Sequence, residues 1–134
     1  MSNFHKVYEF HKKFGATIAK TDWTVDDLAL RYRLIFTEEG HELGEEFYEI
    51  MDTLELAEEV TVEMKKRFTK ELCDLLYVIY GTGVALGIDL NKAFDQVHRS
   101  NMSKLGDDGK PIVREDGKIL KGPNYWEPTL EGVF

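Results

Sequence analysis

At 134 residues, 43% of them hydrophobic and 31% charged, the chain is sized for one soluble domain, residues 1–134, with a moderate core. Its 25 acidic residues outnumber 17 basic ones for a formal charge of −8, which disfavours electrostatic attraction to nucleic acid or anionic lipid and leaves any phosphate-bearing ligand in need of local help. The single cysteine, Cys73, excludes an intrachain disulfide and a thiolate metal cluster; it lies in an apolar stretch, reads as a core residue, and is consistent with a reducing cytoplasm.

In chain order, Val7, Phe10, His11 and Phe14 recur at helical spacing, and Gly15 reads as a stop. The charged residues His5, Lys6, Glu9, His11, Lys12 and Lys13 interrupt any apolar run at the amino end, so no secretory signal is expected. A polar connection, Thr21 to Thr24, follows, with Thr24 as a predicted N-cap and Asp27 adding acidic character to the next first turn. From Val25 a single long helix is predicted to about Met51. Leu28, Tyr32, Ile35, Leu43, Phe47 and Ile50 form its apolar stripe, while Gly40 and Gly44 weaken its propensity.

Leu54 to Val60 gives no strong signal. A second long helix is predicted from about Thr61 to Leu86, with Met64, Phe68, Leu72, Leu75, Leu76 and Ile79 on one broad face. Its later turns are apolar nearly all round, which suggests packing against a partner subunit as well as its own core. The stretch from Leu72 to Ile88 is short for a membrane span and holds Asp74 and three glycines. Gly87 ends the helix, Asp89 caps the next, and that one runs from Leu90 to about Met102. Beyond Gly106 the texture changes: residues 111–121 fit a small hairpin turning at Asp116 and Gly117, with the rest an extended arm.

Acidic pairs mark the two long helices. Glu39 and Glu42 share a face, Glu38 falls beside Glu42, and Glu71 and Asp74 share a face on the second helix. If the helices run antiparallel, four to five acids meet in one cleft, an all-oxygen set suited to hard divalent cations such as Mg²⁺. The bland alternative, a solvated acidic face, fits Glu38, Glu39, Glu42, Glu45, Glu46 and Glu49 well enough. It fits Glu71 and Asp74 poorly, because they head an apolar run in which uncompensated carboxylates are costly.

Three ordered motifs carry a family resemblance. Leu34-Ile-Phe-Thr-Glu-Glu-Gly-His-Glu-Leu43 resembles the EExxE motif of the MazG-like, all-α nucleoside triphosphate pyrophosphohydrolases. Lys70-Glu-Leu-Cys-Asp-Leu-Leu76 resembles their ExxD motif, and Val97-His-Arg-Ser-Asn-Met-Ser-Lys104 is similar to the segment that follows. The tail resembles that of small stand-alone and phage-encoded members, and the likeness spans about residues 4–125.

The resemblance implies an all-α, four-helix-type bundle, with a helical core over about 4–104 and an arm over about 105–134, assembling as a homodimer or homotetramer in the cytoplasm. It implies hydrolysis of a nucleoside triphosphate between the α and β phosphates, giving the monophosphate and pyrophosphate. Mg²⁺, with Mn²⁺ as a substitute, would be held by Glu39, Glu42, Glu71 and Asp74. Glu38 would be a further ligand or would handle the attacking water together with Glu39. Asn101 and Lys104 would contact the triphosphate, and a deoxynucleotide such as dGTP is one substrate it suggests.

The remaining candidates have structural readings beside functional ones. Arg67 and Lys70 can hold phosphate or form i,i+4 ion pairs with Glu63 or Glu71. Trp23, Tyr125 and Trp126 can stack on a base or anchor a loop and the arm. His41 follows Glu38 at the Glu-x-x-His spacing of di-iron bundles, with Asp95 to His98 a poor second copy. A di-iron protein and a non-catalytic helical assembly module using the Leu72 to Ile88 surface are the alternatives.

Overall fold

A computed structural model describes all residues, 1–134, and the chain divides into two compact units, residues 1–87 and 88–134. The first unit is wholly helical, as an all-α protein requires. Helix α1 (Asn3–Phe14) starts at the Ser2 cap and stops at Gly15, whose φ of 70° is the left-handed conformation that glycine adopts without a Cβ penalty. Helix α2 (Val25–Tyr32) opens on a full capping box. The Thr24 side chain accepts from the Asp27 amide, and the Asp27 carboxylate accepts from the Thr24 amide.

The long helix predicted from Val25 is helical throughout but changes its winding. After α2 the chain runs as a π-helix through Arg33–Glu39 and returns to α geometry in α3 (Gly40–Glu55). Gly40 marks the change: its amide donates to the Ile35 carbonyl, five residues back, and a Cβ there would lie 2.5 Å from that oxygen. The glycine read from sequence as a weak helix former is therefore the residue that permits this turn.

Helix α4 (Val62–Leu86), capped by Thr61, packs against α1, α3 and the π-helical segment. Val7, Leu43, Met64, Val84, Ala85 and Leu86 are the buried hydrophobic residues of this unit. The last carbonyls of a helix lack intrahelical donors, and here the loop after α1 supplies them. Ala19 donates to Val84, Lys20 donates to Ala85, and the Trp23 indole N–H is shared between Leu86 and Lys20 carbonyls at 3.0 and 2.8 Å. Gly87, with φ 72°, closes the helix against Ala19.

A charged residue also sits inside this unit. Arg31 is only 9% exposed, donates from Nε to the Thr82 hydroxyl and from Nη2 to the Val78 carbonyl, and has no carboxylate partner. Burial accordingly pushes its guanidinium pKa below the ordinary value. Buried His11 lies alongside and donates Nδ1–H to the Thr17 carbonyl, so it is a satisfied histidine.

Several expected core positions face outward. Cys73 is exposed, and so are Phe10, Phe14, Leu28, Tyr32, Phe47, Leu72, Leu76 and Ile79. The periodicity located the apolar faces of the helices, but a chain of this size has too few partner surfaces of its own to cover them all. No single helix is long and apolar enough to cross a membrane.

In the second unit, α5 (Leu90–Met102) starts at the Asp89 cap. The predicted hairpin is present: β1 (Ile112–Val113) pairs antiparallel with β2 (Ile119–Leu120), turning through Gly117 at φ 88°. The arm after it is tied to α5 by specific bonds. The Gln96 side chain donates to the Glu131 carbonyl and accepts from the Leu130 amide, Ser100 donates to the Trp126 carbonyl, and the Asp89 amide donates to Val133.

Candidate functional site

The π-helical segment and α3 bring Glu39 and Glu42 onto α4, which presents Glu71 and Asp74. One carboxylate oxygen from each of Glu39, Glu42 and Glu71 lies within 4.8 Å of the others. Two oxygens of this trio, Glu39 Oε2 and Glu71 Oε2, are buried and have no hydrogen-bond partner. A buried acceptor without a donor is rare and costly, and here the cost is compounded by like charge. The Glu39 pKa is raised, first by burial and then by Glu42, Asp74 and Glu71; that of Glu71 is raised by burial first, with Lys70 opposing.

Asp74 stands apart from the tight trio. Its Oδ2 is 2.5 Å from Lys70 Nζ, which also lies 3.6 Å from Glu71 Oε1, and this bond raises the Lys70 pKa. Lys70 is thus the one side-chain cation at the cluster. Oxygen donors alone, two of them orphaned, fit a hard cation and do not suit a softer metal.

The other sequence candidates resolve individually. Glu38 is exposed and outside the trio. Arg67 reaches across to α3, where it pairs with Glu46 and Glu49, in place of the i,i+4 pair with Glu63 or Glu71; Glu63 pairs with Lys66 instead. His41 pairs with Glu45 on the exposed face, away from the acid trio, which takes away the histidine ligand of a di-iron site. The Trp23 indole N–H is held by the Lys20 and Leu86 carbonyls. Asn101 and Lys104 belong to the second unit, at the end of α5 and just beyond it, and the Tyr125 ring there carries the Lys121 ammonium 4.7 Å from its centroid.

Sequence reasoning did not find the π turn or the Lys70 to Asp74 contact. The signal for the first was Gly40 directly after two glutamates in a helix, where glycine otherwise has no reason to be. The signal for the second was the i,i+4 spacing itself, which was read toward Glu71.

A helical unit that gathers carboxylates in this way offers the kind of site from which metal-assisted hydrolases work. The chain belongs to the phosphoribosyl-ATP pyrophosphohydrolase family, which residues 7–101 match. It is a pyrophosphohydrolase of nucleotide substrates, in keeping with the MazG-like all-α superfamily. Among solved structures, the chain is similar to a candidate NTP pyrophosphohydrolase of Exiguobacterium sp. 255-15, with 27% identity, TM-score 0.45, and coverage of 96% of this chain and 89% of that one. No curated protein matches the chain.

Proposed function

We propose that the protein hydrolyses a nucleoside triphosphate between its α and β phosphates, releasing the monophosphate and pyrophosphate. The observation that carries the reading is the pair of buried, unpartnered oxygens on Glu39 and Glu71 facing Glu42. Glu39, Glu42, Glu71 and Asp74 would hold Mg²⁺, or Mn²⁺ in its place. When bound, the ion neutralises phosphate oxygens and acidifies a water.

The residues divide the remaining work by position. Glu38, exposed beside the trio in sequence, and Glu39, with its raised pKa, are the candidates to orient or deprotonate the attacking water. Asp74, now bonded to Lys70, would help hold the cation, and Lys70 would meet a phosphate oxygen. Asn101 and Lys104 contact the triphosphate, the lysine as a point charge. Trp23 and Tyr125 keep their structural partners, and Arg67 acts by fixing α3 to α4 through Glu46 and Glu49.

The exposed apolar residues of α4, Leu72, Leu76, Tyr77 and Ile79, support a homodimer or homotetramer. A cytoplasmic role in control of the nucleotide pool, with dGTP or another deoxynucleotide as substrate, completes the reading. The test is incubation with ribo- and deoxynucleoside triphosphates and phosphoribosyl-ATP, each with Mg²⁺ or Mn²⁺, followed by product analysis. Monophosphate and pyrophosphate are expected; diphosphate and orthophosphate would overturn the cleavage position.

A further inference from the structure

The second unit has a feature that the acid cluster does not use. Lys104, Lys118 and Lys121 line one pocket of about 410 Å³, completed by Ile119 and Leu120 of β2, with no acidic residue in its wall. In an acidic chain this is unusual. Elsewhere in the unit Arg99 pairs with Asp95 and Arg114 with Asp116, whereas these three ammonium groups pair with no carboxylate.

The convergence is built by the backbone. Lys104 follows α5 and the other two flank β2, and the Gly122 amide joins the segments by donating to the Lys104 carbonyl at 2.9 Å. Gly122 has no room for a side chain: a Cβ would lie 2.4 Å from the Leu105 oxygen and 2.7 Å from that of Lys104. Lys121 rests over the Tyr125 ring at 4.7 Å, which positions its charge without neutralising it by an anion. Three lysines on the wall of one pocket, with no carboxylate paired to any of them, suit an anionic ligand.

We propose that Lys104, Lys118 and Lys121 form a polyphosphate-binding pocket within the second unit, in which Lys118 and Lys121 join Lys104 as contacts to a phosphate chain. The substrate role rests on the proposed hydrolysis, but the pocket's affinity for an inorganic polyphosphate does not. Three separate point charges suit a flexible chain carrying charge at several positions better than a single orthophosphate. The chain's net charge of −8 opposes a nucleic-acid backbone, whose binding relies on many phosphate contacts over a basic surface.

The test measures binding of inorganic tripolyphosphate to the full chain by calorimetry in EDTA, so that no metal contributes. The expected result is one site, orthophosphate binding at least about tenfold more weakly, and a loss of about tenfold or more in the Lys118→Gln/Lys121→Gln double variant, each tenfold corresponding to about 1.4 kcal/mol. The Lys118→Arg/Lys121→Arg variant should retain affinity, and so should Glu71→Gln, which alters the acid cluster alone. With metal present, the Gln double variant should raise KM for a hydrolysed nucleotide more than it lowers kcat.

Unchanged tripolyphosphate affinity in a folded Gln double variant, or no metal-free binding by the parent chain, would overturn the pocket. A single-stranded oligonucleotide that binds as tightly as tripolyphosphate and is lost in the same variant would overturn its assignment to small anions. If no nucleotide is hydrolysed yet tripolyphosphate binding depends on these lysines, the pocket stands and the proposed reaction falls. If hydrolysis occurs with KM and affinity untouched by the double variant, the reverse holds.

Discussion

The Gly40 amide donates to the Ile35 carbonyl oxygen, five residues back along the chain, and this bond closes the π turn immediately before the first acid-bearing turn of α3. The extra residue in that turn changes the angular relation between α2 and α3, so it sets the direction in which Glu39 and Glu42, which share a face through their i,i+3 spacing, project relative to the helix before them.

Replacing Gly40 by alanine should therefore damage both stability and function. The new methyl would sit 2.5 Å from a backbone oxygen, a clash the chain can relieve only by rewinding, with a cost of about 1–3 kcal/mol typical of overpacking. The matched control is Gly44→Ala in the same helix, where nothing lies within 4 Å of the new carbon. That variant should gain about 0.5–1 kcal/mol from helix propensity. Thermal melts and turnover of both variants check the contrast; equal behaviour would remove the role assigned to the π turn.

Metal and neutralisation should each stabilise the acid trio, and only metal should support activity. A divalent cation that binds only the folded chain raises its melting temperature, by about 2.7 kcal/mol of linkage at a hundredfold excess over Kd. Glu71→Gln removes one of the trio's two buried, unpartnered carboxylate oxygens and the repulsion it shares with Glu42 and Asp74. The metal-free variant should melt higher than the parent, fail to respond to Mg²⁺ and lose activity. A metal-free melting temperature that falls would mean that the Lys70 ammonium, 3.6 Å from Glu71 Oε1, outweighs the burial and the repulsion and would remove the strain assigned to the trio.

The reading from sequence reached most of the helices because their ends carry local chemistry. Thr24, Thr61 and Asp89 cap by side-chain oxygens, and Gly15 and Gly87 stop helices in the left-handed conformation, so each boundary is written within four residues. The four acids were legible through i,i+3 spacing. The Arg31 burial was not, since an arginine in a helix of mixed character reads as a surface residue until Gly81, fifty residues away, makes room for it. Nor was the grouping of Lys104 with Lys118 and Lys121, because it depends on the Gly122 amide donating to the Lys104 carbonyl, between segments that share no periodic pattern.

Asp27 gives a pH dependence whose sign follows from its partners. Its pKa is lowered from 3.8 to about 2, first by the Lys20 ammonium, 2.6 Å away, and then by the Thr24 amide and hydroxyl. A depressed folded-state pKa contributes stability that is fully present above the unfolded value and is lost as pH falls through the folded one. The melting-temperature difference between the parent and Asp27→Asn should be constant above pH 3.8 and shrink as pH approaches 2. The comparison is made as a difference because Glu39 and Glu71, with raised pKa values, change stability in the opposite direction as they protonate. A gap that widens on acidification would contradict the capping-box assignment.

Gly81 and Arg31 should prove energetically coupled. A Cβ at Gly81 would lie 2.8 Å from Arg31 Nη2 and 3.0 Å from His11 Nε2. Arg31 has little freedom to withdraw, because it is held by the Thr82 hydroxyl and the Val78 carbonyl. Gly81→Ala should thus lose about 1–3 kcal/mol to overpacking, offset in part by about 1 kcal/mol of helix propensity. Arg31→Met alone removes a buried charge but leaves the Thr82 oxygen without the donor it accepts from, while the Val78 carbonyl keeps the Thr82 hydroxyl, an expected loss of about 1–3 kcal/mol. In the double variant the thioether chain can bend away from the new methyl, so the combined loss should fall short of additivity by at least about 0.5 kcal/mol. Chemical denaturation of the four proteins measures the term. Strict additivity would show that the glycine is not there to seat the guanidinium.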